Sequence, residues 1–248
     1  MIRLKQHILV TGSSRGIGRA IADTLCLAGH RVVGHASRPV PAADCDAPTW
    51  PVVGADFGDF RGPGNLWQQA MEHLDGRIDV LINNAGIFVP NPVDSGDAEW
   101  LAGWDETMTV NLTASAQLCR FAVLHFQALG REGRIVNIAS RAAYRGDSAA
   151  HWHYAASKGG MVAMTKSIAR AYAAEGIYAF AICPGFTMTG MADDYLTSRG
   201  GERLLADIPL GRVAMPDEVA TMAAFCALNA PPSMTGAVLD VNGASYVR

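Results

Sequence analysis

The chain has 248 residues, 50% of them hydrophobic, with 20 Lys and Arg against 23 Asp and Glu for a formal net charge of −3. That is enough apolar material for the core of one large α/β domain, and with no long run of one sign it argues against nucleic acid or anionic lipid as a partner. No stretch approaches the ~18 apolar residues of a membrane span, and the opening MIRLKQHILVTG is too short an apolar run for a secretion signal, so a cytoplasmic protein is expected.

A first strand is predicted at 7–11 (HILVT), followed by the turn TGSSRGIG and a helix over 15–28. This is the layout of a phosphate site. Gly12 can take backbone angles closed to other residues, Gly16 lets the main chain approach an anion, and Gly18 permits close helix–strand packing. Ser14, Arg15 and Ile17 complete the turn and the opening of the helix, whose free N–H groups attract negative charge. The second strand, 31–36 (RVVGHA), ends in Ala36-Ser37-Arg38, without the acidic side chain that would hold the ribose hydroxyls of NAD. Ser37 can donate a hydrogen bond, and Arg38 with Arg15 can flank a 2′-phosphate, which favours NADP(H) with NAD(H) as the alternative. Taken singly, either arginine reads equally well as a solvated surface residue.

Between the second and third strands, RPVPAADCDAPTWP carries four prolines and leaves little room for a crossover helix, so an irregular connection is expected. Strands follow at 50–56, 78–83, 134–140, 177–183 and 237–242, nearly continuous in apolar character, as strands covered on both faces are. Helical periodicity returns at 104–129, 152–174 and 216–229, with Gly29 and Gly176 at helix ends and Pro216-Asp217-Glu218 opening the last. Strand–helix alternation of this kind predicts a doubly wound Rossmann α/β fold, a seven-stranded and mostly parallel sheet with helices on both faces, in one domain over 1–248. The five cysteines (Cys26, Cys45, Cys119, Cys183, Cys226) contain no C-x-x-C pair, and His151-Trp152-His153 offers an H-x-H spacing with no third ligand, so no metal is expected.

In HYAASKGG, Tyr154 and Lys158 are four apart and share one face of a helix. A phenol with a pKa of about 10 is a weak acid–base catalyst, and an adjacent ammonium draws it toward neutrality. A half-buried tyrosine beside a solvated lysine is the plain alternative, and the spacing alone does not separate the two.

The set TGSSRGIG (11–18), NNAG (83–86), Asn111 in TVNLTA, Ser140 in IVNIAS, Tyr154 and Lys158 in YAASK, and PG (184–185) resembles the short-chain dehydrogenase/reductase family in order and spacing, over almost the whole chain. The resemblance implies a nicotinamide cofactor and hydride transfer to or from a carbonyl or secondary alcohol, with a ketone or 3-oxoacyl group as the expected substrate. It implies Tyr154 as general acid or base, Lys158 lowering its pKa and binding the nicotinamide ribose, Ser140 hydrogen-bonding the carbonyl oxygen, and Asn111 holding a water that links Lys158 to solvent. It places Asp56 and Phe57 at the adenine, Asn83, Ala85 and Gly86 along the adenosine side, Pro184, Gly185 and Thr187 against the nicotinamide, and Thr189 at the phosphates. A substrate lid is implied over 186–212, bending at Gly190, Gly200 and Gly201 and carrying Met188, Met191, Tyr195 and Leu196, as is a homodimer or homotetramer built on the two long helices.

Two departures stand out. Phe180 occupies the sixth strand where the family commonly has asparagine, and the segment before Tyr154 is one residue longer than expected, so that His151, Trp152 and His153 either line the substrate mouth or form an exposed loop. Of a basic surface pair for an acidic acyl carrier, Arg131 matches one half and Glu175 stands at the other. An NAD-dependent alcohol dehydrogenase and a non-catalytic nucleotide-binding protein are the competing readings. The second would be expected to lose Tyr154 or Lys158. A sugar epimerase of the extended branch needs a second domain for which this length leaves no room.

Overall fold

A computed structural model describes residues 5–38, 48–189 and 201–248. Its strands are β1 (His7–Val10), β2 (Arg31–Ala36), β3 (Val52–Gly54), β4 (Val80–Asn83), β5 (Gly133–Ile138), β6 (Ile177–Pro184) and β7 (Val238–Val241). They form one seven-stranded sheet in the order β3-β2-β1-β4-β5-β6-β7, and every pairing is parallel. The continuous apolar runs have the cause expected of them: Ile8, Leu9 and Val10 are fully buried because both faces of the sheet are covered.

The helices are α1 (Gly16–Leu27), α2 (Gly62–His73), α3 (Asp97–Met108), α4 (Ala114–Leu129), α5 (Ala142–Arg145), α6 (Trp152–Tyr172), α7 (Gly201–Ala206) and α8 (Pro216–Leu228). Ile21, Leu25, Val219 and Ala223 of α1 and α8 pack on one face of the sheet with Ile82, Val136 and Phe180. Leu66, Leu118, Phe126 and Ala169 of α2, α4 and α6 cover the other with Leu9, Leu81 and Ile135. Phe180 thus fills core volume, which accounts for the absence of a polar side chain there.

Three features differ from the sequence expectation. Helix α2 was not anticipated; it follows a third strand trimmed to three residues. The predicted helix over 104–129 starts earlier, as α3, and is interrupted at Thr109–Thr113 by a π-helical turn centred on Asn111. Residues 39–47, the heart of the proline-rich connection and the site of Cys45, lie outside the described residues, as do Gly190, Met191, Tyr195, Leu196 and Gly200 of the expected lid.

The chain crosses from one side of β1 to the other on reaching β4, so the carboxyl ends of these two strands flank a crevice. Gly12 follows β1, Asn83–Gly86 closes β4, Ser140 follows β5 and Pro184 ends β6. One edge of the sheet therefore gathers every motif.

Candidate active site

The glycine turn is built by steric necessity. Gly12 has φ +62°, and a Cβ there would stand 2.7 Å from Ala85 Cα; a Cβ on Gly18 would stand 2.2 Å from the Gly12 carbonyl oxygen. Neither space exists for a side chain. Asn84 donates to the Thr11 and Gly12 carbonyls, and the Asn84 and Ala85 amides donate to Thr11 Oγ1. NNAG is thereby stitched to the phosphate turn, a role for Asn84 and Thr11 that sequence reasoning missed.

Helix α1 begins at Gly16 with no side-chain cap and no acidic residue in its first turn, leaving its N–H groups for an anion. Ser14, Arg15, Ser37 and Arg38 are exposed, Ile17 is partly buried, and the two arginines form no ion pair among the described residues. Thr189 Cγ2 would lie 3.0 Å from a Cβ on Gly16, so Thr189 overhangs the turn. These residues fit the phosphates of a dinucleotide.

Two expected contacts are reshaped. Asn83 is fully buried, and its amide donates to Asn137 Oδ1 and Cys119 Sγ in the core, so only its main chain faces the crevice side. The phenyl ring of Phe57 is buried in a stack on His35, 4.2 Å between centroids, leaving Asp56, exposed and bonded to the Gly58 N–H, as the accessible side chain past β3.

At the other end, Lys158 is 4% exposed and its Nζ donates to the Ile138 carbonyl over 2.9 Å. Tyr154, one turn away, presents its ring to that ammonium at 5.8 Å and is hydrogen-bonded through its phenol to Ser140. Ser140 Oγ also accepts from the Ala142 N–H. Four sequence-predicted residues are thus brought together, because Asn111 completes the group: its Oδ1 and the Lys158 Nζ flank Gly86, at 3.2 and 3.5 Å from where a Cβ would sit. Asn111 is fully buried, accepts from the Ile87 N–H, and donates to the Ile87 carbonyl and Ser157 Oγ. A two-point grip on Ile87 is what the structure shows for it, and the π-turn rotates it into that grip.

The electrostatics correct the sequence expectation. Burial pushes the Tyr154 phenol above its ordinary value, opposed by the Ser140 hydroxyl, with Asp147 and Cys183 reinforcing the rise. Burial likewise pulls Lys158 down to about 8. Desolvation outweighs the mutual attraction of the pair because both groups are deeply set and Nζ is turned to a carbonyl. Lys158 is not a source of phenol acidification in this structure.

Beside Tyr154, Phe88 meets the phenol ring edge-on at 4.8 Å and is itself stacked on His151 at 3.9 Å. Trp152 turns outward to Trp100, 6.5 Å between ring centroids, and His153 is buried. Of the three residues before the tyrosine, His151 forms part of the wall next to it. Past β6, Pro184 accepts from the Arg141 N–H, Gly185 packs so tightly on Asn242 that a Cβ would lie 2.9 Å away, and Thr187 is buried. Met188 packs against Ile208 and Val213.

A parallel doubly wound sheet with an anion turn at its switch point and a buried Ser–Tyr–Lys group beside it defines a dinucleotide-dependent oxidoreductase. The family model for short chain dehydrogenase matches residues 6–199, so the chain belongs to the short-chain dehydrogenase family. The 3-oxoacyl-[acyl-carrier-protein] reductase FabG of Vibrio cholerae is 34% identical to it, aligned over 96% of both chains, and that of Salmonella typhimurium 35% with the same coverage. Among solved structures, ligand-free aldohexose dehydrogenase AldT of Thermoplasma acidophilum superposes with a TM-score of 0.85 at 27% identity, covering 98% of this chain and 95% of that one. The TT0495 protein of Thermus thermophilus gives 0.86 at 29%, covering 97% and 98%. The chain is an NAD(P)-dependent enzyme of this family.

Proposed function

We propose that the protein reduces a 3-oxoacyl thioester or comparable ketone with NADPH. The observation that carries the reading is the convergence of Ser140 on the Tyr154 phenol with Lys158 buried one helical turn away. Bound NADPH supplies the hydride that the carbonyl carbon accepts. Ser140 Oγ donates to the carbonyl oxygen as negative charge grows there, and Tyr154 delivers its hydroxyl proton to the same oxygen. A raised phenol pKa keeps that proton on Tyr154 at neutral pH, as an acid needs. Lys158 holds the ribose next to the nicotinamide, and Asn111 fixes the Ile87 main chain beside both. Arg15 and Arg38 favour the 2′-phosphate.

The identity to FabG supports a 3-oxoacyl substrate. Glu175, which accepts from Gln127 Nε2 at 2.7 Å and stands where a basic partner to Arg131 is wanted, favours a second reading in which the ketone is not presented on an acidic carrier. The groove of about 430 Å³ between α4 and α6, lined by Leu124, Met164 and Ile168 among others, supports pairing of two copies along these helices, with Ala163 and Ala171 exposed on α6 and Ala174 exposed just past its end. No helix among the described residues is long and apolar enough to cross a membrane, which is compatible with a cytoplasmic location.

The test is fluorescence titration with NADPH and NADH, then NADPH oxidation with acetoacetyl thioesters and free ketones, for the parent and Tyr154→Phe. Tighter NADH binding overturns the cofactor assignment, and equal turnover in both proteins removes Tyr154 from the chemistry.

A further inference from the structure

One buried imidazole is used by none of the steps above. His35, the fifth residue of β2, is 2% exposed and has both ring nitrogens engaged. Its Nδ1 accepts from the Gly12 N–H over 3.0 Å, and its Nε2 pairs with the Ala55 carbonyl over 2.8 Å. A carbonyl only accepts, so Nε2 carries the proton and Nδ1 is bare. The ring stacks on Phe57 at 4.2 Å and 10° between planes. Its main chain is fixed too: His35 N–H donates to Ser13 Oγ, and its carbonyl accepts from the Ser13 N–H.

The side chain thus joins two segments that approach the nucleotide from different strands, the phosphate turn at Gly12 and the Ala55–Phe57 wall past β3. We propose that His35 is a positioning residue that holds the phosphate turn against the adenosine wall, and that its protonation loosens the turn and weakens nucleotide binding. The inference rests on the NADP(H) reading of the crevice.

The chemistry is one-sided. A doubly protonated imidazole presents N–H to the Gly12 N–H, donor against donor, and the bond cannot survive. Gly12 has no other freedom, with Ala85 packed behind it. Burial holds the imidazole below its ordinary value, opposed by the Ala55 bond, so the neutral form prevails at neutral pH and is lost in acid. The segments packed on the ring bring no charge to it: the turn contributes the Gly12 amide and the Ser13 hydroxyl, and the end of β3 the Ala55 carbonyl and the Phe57 ring. Asp56 turns its carboxylate to the Gly58 N–H, and Arg15 and Arg38 are exposed.

The experiment titrates the protein with 2′,5′-ADP calorimetrically between pH 8 and 5, for the parent, His35→Asn and His35→Leu. The Asn Oδ1 keeps an acceptor at the Nδ1 position and does not titrate; Leu removes it. Because the ligand's 2′-phosphate itself titrates with a pKa of about 6, the informative quantity is the ratio of parent to His35→Asn at each pH. That ratio is expected to fall by up to about tenfold in acid, the worth of one hydrogen bond of about 1.4 kcal/mol. At pH 8, His35→Asn binds like the parent, His35→Leu binds up to about tenfold more weakly, and kcat at saturating NADPH is unchanged in both. A flat ratio across pH, or an Asn variant as weak as Leu, overturns the role of His35 while leaving the cofactor reading intact. Should Leu fail to fold, the ratio of parent to Asn still decides. Failure of 2′,5′-ADP to bind the parent at any pH overturns both.

Discussion

The two ends of the crevice are built on opposite physical terms. At the nicotinamide end, Lys158 and Asn111 are buried, with Tyr154 partly buried beside them, and desolvation sets their protonation. At the phosphate end, the candidate contacts of the turn are exposed side chains and main-chain N–H groups, and His35 beneath them is neutral and fixed. A buried constellation decides rate and is intolerant of change; an open one decides affinity and yields to salt. The contrast assigns a different kind of consequence to each end.

The largest effect is expected from Tyr154→Phe, which removes the transferable proton and keeps the ring against Phe88; kcat should fall by about 10²–10⁴-fold with NADPH affinity nearly unchanged in a fluorescence titration. A parallel loss of affinity would mean the two ends are not separable. Next is Gly18→Ala, whose methyl would overlap the Gly12 carbonyl and should destabilise the fold by about 1–3 kcal/mol in urea denaturation while weakening nucleotide binding.

Lys158→Met sharpens the comparison differently, because it should abolish turnover and yet raise stability without nucleotide. The folded-state value of about 8 lies below the ordinary 10.5, so the unfolded chain takes up a proton more readily. The cost of burying the charged amine is therefore fully present below pH 8 and fades as pH rises from 8 to 10.5. Thermal melts at pH 7 should show the variant more stable by order of 1–3 kcal/mol, a gain that shrinks by pH 10; destabilisation at pH 7 would count against desolvation as the dominant force. The smallest effect belongs to the open end: Arg38→Ala should reduce the preference for NADPH over NADH by roughly tenfold at low salt, and less at high salt.

The sheet was legible because its strands are buried on both faces and so spell themselves as unbroken apolar runs. Helix α2 was not, since GPGNLWQQAMEH opens with residues that read as a turn and buries only Leu66 and Ala70 as larger apolar side chains. The π-turn at Asn111 hides for another reason: one surplus residue leaves the apolar periodicity on either side intact. The identity of the site residues was plain in the motifs, but the direction in which Tyr154 and Lys158 titrate was not, because burial is a property of distant segments folding over them. His35 left a faint mark, a polar residue inside the apolar run VVGHA, which its two ring bonds explain.

The widened turn at 109–113 has a consequence for how the chain tolerates length changes. A residue deleted there would restore regular winding and swing everything downstream by about 100°, carrying Leu118 and Phe126 off the sheet face they cover. Losing the surplus residue would thus unseat a whole helix, and single-codon deletions scanned along 97–129 should be worst tolerated within those five positions, even though their side chains are no larger than their neighbours'.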